Sequence, residues 1–266
     1  MRNVDETWLD ILGCSWAEYT EDVRLFYEQH PDGCREDYLR DEFNLLGGTE
    51  DSRSASGVEE YYSAPQGKLA RICTYELGEH MDIDGLIASG AAAFTELGHR
   101  RAFYMALRRF KNLVCLDHGC NNGAAGLYLA SLGHLSVLYD YQIPMRLYVA
   151  QLVPPPMRPY VRFSWAPKKN GLFFPGLHYN FVVSCEVIEH IVDPVAEIRS
   201  IRDNMVRGGI LYLSTFFNSC LGKNPSHLEE HSKYQDTAKW FREVENAGFR
   251  LVGRDANGCE KIWERI

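Results

Sequence analysis

Residues 114–142, VCLDHGCNNGAAGLYLASLGHLSVLYDYQ, decide how the rest of the chain is read. An apolar run from Val114 to Leu116 meets an acid, Asp117. A turn with Gly119 and Gly123 follows, then a small-residue segment stopped by Gly133. A second apolar run ends in a second acid, Asp140. Short apolar runs bounded by turn residues read as buried strands, and the segment between them reads as a helix. Strand, glycine turn, helix and strand make one βαβ unit.

The alternation continues outward. YVRFSWA (160–166), YNFVVSCEV (179–187), GGILYLSTFF (208–217), FRLVGRD (249–255) and CEKIWERI (259–266) read as strands. IPMRLYVAQL (143–152), DPVAEIRSIRDNMV (193–206) and TAKWFREVENAG (237–248) read as helices. This order predicts an α/β fold, a Rossmann-like, doubly wound, mostly parallel sheet with helices on both faces. Upstream the chain is helix-compatible, with a linker candidate at GGTEDSRSASG (47–57). Two regions are expected: an N-terminal helical region, 1–110, covering the substrate, and a ligand-binding domain, 111–266.

Composition narrows the function. A net charge of −8 over 266 residues argues against nucleic acid as a partner. The one dense basic stretch, HRRAFYMALRRFKN (99–112), reads as a solvated helix face rather than a phosphate site. Eight cysteines include no C-x-x-C pair, which predicts a reduced chain. The N-terminus is polar and acidic, and no apolar run reaches the roughly 18 residues a membrane helix needs. A cytoplasmic protein acting on a small molecule is expected, and a homodimer is left open.

In parallel sheets the ligand lies beyond the carboxyl ends of the strands, at the switch point. The glycines of the turn allow close backbone approach. Asp140, about 20 residues on, can accept hydrogen bonds from both hydroxyls of a ribose. The pattern therefore calls for a nucleoside, either in a dinucleotide or in S-adenosylmethionine. A dinucleotide site uses G-x-G-x-x-G with a helix N-terminus facing pyrophosphate. This turn reads D-H-G-C-N-N-G.

That motif, with Asp117, Gly119 and Gly123, resembles the first motif of class I S-adenosylmethionine-dependent methyltransferases. Asn121 replaces the middle glycine of the family's G-x-G-x-G. Asparagine tolerates left-handed backbone better than most residues. Residues 180–218, NFVVSCEVIEHIVDPVAEIRSIRDNMVRGGILYLSTFFN, resemble the family's segment from fourth strand to fifth. Glu189, His190, Asp193, Pro194, Gly208 and Gly209 fall where the family has them. The resemblance covers about residues 110–255. It implies a methionine end lined by Gly119, Cys120 and Asn121, with Asp117 near the ammonium. It implies Asp140 on the ribose and Tyr141 beside the adenine. Trp165 stands where the family often has an acid and is a candidate to stack on the base. Cys185 would end its strand facing the cofactor.

Glu186, Glu189 and His190 have i, i+3, i+4 spacing, so a helical turn there would present all three on one face. With a distant histidine, His231, the pattern resembles two branches of the class. One holds ubiquinone-pathway O-methyltransferases, which it resembles more, and the other small-RNA 3′-terminal 2′-O-methyltransferases. Both imply a divalent metal (Mg²⁺, Mn²⁺, Fe²⁺ or Zn²⁺) at the acceptor. A metal would lower the acceptor pKa. Without one, His190 would serve as general base beside Glu189. Three readings follow: methyl transfer to a small molecule, at a hydroxyl oxygen; RNA methylation through the metal cluster; or a nucleoside-binding module without catalysis.

Overall fold

The computed structural model describes residues 82–95, 97–140, 152–165, 176–191, 193–215, 234, 237–254 and 260–266. Seven strands form one sheet: β1 (Val114–His118), β2 (Leu135–Asp140), β3 (Val161–Trp165), β4 (Tyr179–Cys185), β5 (Met205–Ser214), β6 (Phe249–Arg254) and β7 (Glu260–Arg265). Their order is β3-β2-β1-β4-β5-β7-β6. The first five run parallel, and β7 runs antiparallel between β5 and β6. This is the mostly parallel α/β sheet that the strand–helix alternation predicts. Chain order reverses between β1 and β4, so the switch point lies just past His118 and Cys185.

Among the described residues, five α-helices flank it: α1 (Ile83–Ala93), α2 (Leu97–Arg109), α3 (Ala124–Ser131), α4 (Pro194–Asp203) and α5 (Thr237–Asn246). Successive strand residues point to opposite faces, and both faces are apolar here. Leu116, Val182, Leu211, Trp240 and Trp263 pack together on the face that carries α4 and α5. Cys115, Phe181, Tyr212, Phe103 and Leu129 pack on the face that carries α1, α2 and α3. Two-sided burial explains why β4 reads as a continuous apolar run. Helix α1 crosses α3 at Gly90, where a Cβ would stand 2.1 Å from the carbonyl oxygen of Ala124.

Helix α4 starts where the D-P pair predicts. Asp193 accepts the N–H of Ala196 at 2.9 Å, and Pro194 takes the first helical position. The helix ends sooner than the expected Val206. It stops at Asp203, and β5 begins at Met205, ahead of the glycine pair rather than at it. The cause is a bulge. Met205 pairs with Tyr179, the register then shifts, and Ile210 pairs with Phe181, so the residues around Gly208 and Gly209 are absorbed between those two pairings.

The basic stretch is partly used inside the fold. Arg109, in the last turn of α2, donates to the carbonyl of Gly208 at 2.9 Å and pairs with Glu264 at 2.7 Å. Glu264 also binds Arg250 at 2.9 Å. The linker candidate, the remainder of the N-terminal region through residue 81, Tyr141 and His231 lie outside the described residues. No described helix is long and apolar enough to cross a membrane.

Candidate cofactor-binding site

The turn between β1 and α3 alternates in handedness. Gly119, Asn121 and Gly123 have φ of +69°, +45° and +77°. Asn121 therefore adopts the left-handed backbone that the family's middle glycine would take, as its side chain allows. Gly119 faces a second constraint. A Cβ there would stand 2.2 Å from Cγ2 of Val187, in the segment that leaves β4.

Four backbone donors of this turn, those of Gly119, Cys120, Asn121 and Gly123, are engaged by the protein itself. The N–H groups of Gly119 and Cys120 both donate to the carbonyl of Tyr139, at 2.8 and 2.9 Å. Asn121 donates to Oδ2 of Asp140 at 2.7 Å. Gly123 donates to the carbonyl of Cys120 at 2.7 Å. The first turn of α3 is closed in the same way. Ala124 donates to Oδ1 of Asn122 at 3.1 Å, and Gly126 to Oδ2 of Asp117 at 2.7 Å. Asp117 is only 5% exposed, so its carboxylate lies beneath α3 rather than at the open edge. Burial pushes its pKa up to about 6, with the Gly126 bond opposing and Asp140 adding to the rise.

This arrangement suits a pyrophosphate poorly. A pyrophosphate needs unengaged donors at the turn and a positive helix end. Here the donors of Gly119, Cys120, Asn121 and Gly123 are taken, and the Asp117 carboxylate already accepts from the first turn of the helix. A nucleoside without phosphate needs neither. It needs a close-approach turn and a carboxylate beside it, and Gly119–Gly123 with Asp140 supply both. A carboxylate accepts several hydrogen bonds at once, so the Asn121 bond and ribose hydroxyls are compatible.

His118, which the sequence reading passed over, is 1% exposed. Its Nδ1 lies 3.0 Å from Oγ of Ser184 on β4, and its Nε2 lies 2.8 Å from Oε1 of Glu197 on α4. Its ring stacks on that of Tyr139, with centroids 5.4 Å apart and planes 12° from parallel.

The opposite wall is the segment leaving β4. Cys185 Sγ lies 3.4 Å from Nε2 of His99 on α2, and that imidazole packs against Tyr212 at 4.1 Å between centroids. Glu186 has φ of +54°, a left-handed value uncommon for a residue of its size. It is held on the neighbouring strand. Its N–H donates to the carbonyl of Ser214 at 3.1 Å, and its Oε1 accepts from the Ser214 hydroxyl. A 3₁₀ turn, Ile188–His190, follows.

Residues 90–253, more than half of the chain, match the family model described as a methyltransferase domain. The chain belongs to the methyltransferase domain family. S-adenosylmethionine is the methyl donor expected for such a domain. No curated protein matches the sequence. Among solved structures, EvdMO1 is similar at 24% identity over 62% of this chain and 39% of that one, with a TM-score of 0.45. The CcbJ methyltransferase of Streptomyces caelestis is similar at 14% identity, over 63% and 89% of the two chains, with a TM-score of 0.49. CalS10 of Micromonospora echinaspora, an amino pentose methyltransferase with S-adenosylmethionine bound, is similar at 12% identity, over 70% and 98%, with a TM-score of 0.44. This chain spans well under half the length of EvdMO1.

Within the methyltransferase domain, the turn and Asp140 come together through the Asn121 N–H. Trp165 ends β3 in register with Asp140, at the same edge. Cys185 ends β4 one residue past the pairing of His118 with Ser184, so it flanks the turn. Glu186 and Glu189 do not share the face that their spacing with His190 predicts. Glu186 precedes the 3₁₀ turn in left-handed backbone and is exposed, whereas Glu189, inside that turn, is 1% exposed. The left-handed residue breaks the continuous helix that the spacing assumed. Among the described residues, no three His, Cys, Asp or Glu side chains gather to hold a metal ion.

Proposed function

We propose that this protein transfers a methyl group from S-adenosylmethionine to a small-molecule acceptor, at a hydroxyl oxygen. The observation that carries the cofactor assignment is the turn. Its donors at Gly119, Cys120, Asn121 and Gly123 are spent on Tyr139, Asp140 and Cys120, and Asp117 accepts from the first turn of the helix behind it. Such a turn, with the carboxylates of Asp117 and Asp140 beside it, disfavours a pyrophosphate and leaves Asp140 able to accept from ribose hydroxyls.

The bound cofactor supplies an activated methyl group on a sulfonium. The chain's own residues position the two partners, since an in-line displacement gains most from orientation. Asp140 orients the ribose, the Gly119–Gly123 turn lines the methionine end, and Trp165 lies at the edge near the base. A hydroxyl acceptor must also lose a proton, and we assign that to His190, which stands on the 3₁₀ turn leaving β4. The E-x-x-E-H pattern supports an affinity with the ubiquinone-pathway O-methyltransferases. Its metal is a different matter. Glu186 and Glu189 do not share a face, so the described part of the ligand set does not fit a common ion, and no step runs through one.

Calorimetry tests this reading. S-adenosylmethionine and S-adenosylhomocysteine should each bind with micromolar affinity, and NADH should not bind. Added Mg²⁺ or EDTA should leave the affinities unchanged. Failure of both adenosyl compounds to bind folded protein would remove the methyltransferase assignment.

A further inference from the structure

The last two residues of β1 point to opposite faces of the sheet and end in polar contacts on both. Asp117 reaches the first turn of α3, on one face. His118 reaches the first turn of α4, on the other, through Glu197. In the sheet His118 stands in register with Tyr139 on β2 and with Ser184 on β4. Its side chain contacts those of both neighbours, so one imidazole ties three adjacent strand ends to one helix start.

Those four places position the cofactor turn. The carbonyl of Tyr139 receives the first two N–H groups of the turn, at 2.8 and 2.9 Å. Tyr139 also immediately precedes Asp140. Ser184 precedes Cys185 and the segment whose Val187 packs against Gly119. The first turn of α4 fixes where that segment must arrive. One wall of the site hangs on Tyr139 and the other on Ser184 and α4, with His118 between them.

We propose that His118, acting with Glu197, is a positioning residue that sets the distance between the two walls of the cofactor site. The inference rests on the reading that the turn holds S-adenosylmethionine. The ring nitrogens suit the task. A neutral imidazole with its proton on Nε2 donates to the Glu197 carboxylate and accepts at Nδ1 from the Ser184 hydroxyl. An apolar side chain in this place keeps the stacking but makes neither bond, and it leaves a carboxylate facing an apolar group.

The test compares S-adenosylhomocysteine affinity, by calorimetry, in wild type, His118→Phe, Glu197→Ala and the double variant, each shown to be folded by near-ultraviolet circular dichroism. Each single variant should bind about tenfold more weakly. The double variant should bind no more weakly than the worse single, because both remove one linkage. A purely structural role would lower the unfolding midpoint and leave the affinity of the folded protein unchanged. Wild-type affinity in either folded single variant, or losses that multiply in the double, would overturn the proposal. If His118→Phe does not fold, Glu197→Ala decides alone by the same affinity criterion. A wild-type protein that binds no adenosyl compound would overturn the underlying cofactor reading, a result distinct from unchanged affinity in the variants.

Discussion

Asp140 holds the N–H of Asn121 through Oδ2 at 2.7 Å, across the mouth of the β1–α3 turn. One carboxylate thus shapes the turn and, in the proposed function, also accepts from the ribose hydroxyls. Asp140→Ala should therefore weaken S-adenosylhomocysteine binding by tenfold or more, consistent with about 1.5–3 kcal/mol for hydrogen bonds to a charged group. Calorimetry checks it, and unchanged affinity would cancel the ribose assignment.

Gly119 and Gly133 separate backbone strain from lack of space. Both have positive φ, +69° and +83°, but a Cβ at Gly119 meets Val187 at 2.2 Å, whereas Gly133 has nothing within 4 Å. Gly133→Ala should cost about 1–2 kcal/mol from backbone strain alone. Gly119→Ala should cost a further ~1–3 kcal/mol from overpacking. Urea unfolding of the two variants measures the difference, and equal costs would show that Val187 gives way freely.

Asp117 makes stability depend on pH. Its pKa rises from 3.8 to about 6 on folding, chiefly because burial disfavours the charged form. The folded protein therefore binds this proton more tightly than the unfolded chain. The group's relative stabilisation is complete below pH 3.8 and disappears as pH rises through about 6. The span is on the order of 3 kcal/mol. Asp117→Asn keeps an acceptor for Gly126 and removes the titration. The stability of wild type relative to Asp117→Asn should fall between about pH 4 and pH 6, read from urea midpoints. A constant difference would show that Asp117 titrates normally.

Arg109 fastens α2 to the sheet through Gly208 and Glu264. The guanidinium beside Glu264, with Arg250 as second partner, holds that carboxyl below its usual range. Such a group stabilises above its ordinary pKa and loses the contribution as pH falls. Arg109→Met should cost about 1 kcal/mol near neutrality, and the cost should shrink in acid. Thermal unfolding at several pH values checks the trend.

The strands, the acids that close them and the turn were legible because they are local patterns. Asn121 was legible too, since asparagine is among the few residues that enter left-handed backbone without glycine's help. The E-x-x-E-H stretch misled for a local reason of the opposite kind. Spacing alone assumes an unbroken helix, and Glu186 leaves it because its N–H and carboxylate are both held by Ser214 on the next strand. His118 stayed hidden between an acid and a glycine. Its meaning depends on partners 66 and 79 residues away, which only the register of β1 with β4 and the packing of α4 bring near. The early start of β5 has the same origin, a bulge set by pairing with Tyr179.

Asn122 followed by Gly123 is the sequence in which a chain ages by succinimide formation. The Gly123 nitrogen attacks the Asn122 side-chain carbonyl, and ammonia leaves. In the folded turn that nitrogen is held by Cys120 at 2.7 Å, and the side-chain oxygen is occupied by the Ala124 N–H at 3.1 Å. Storage damage at the cradle should therefore follow how often the turn opens rather than elapsed time alone. Ligands that keep it closed should lengthen the life of the protein.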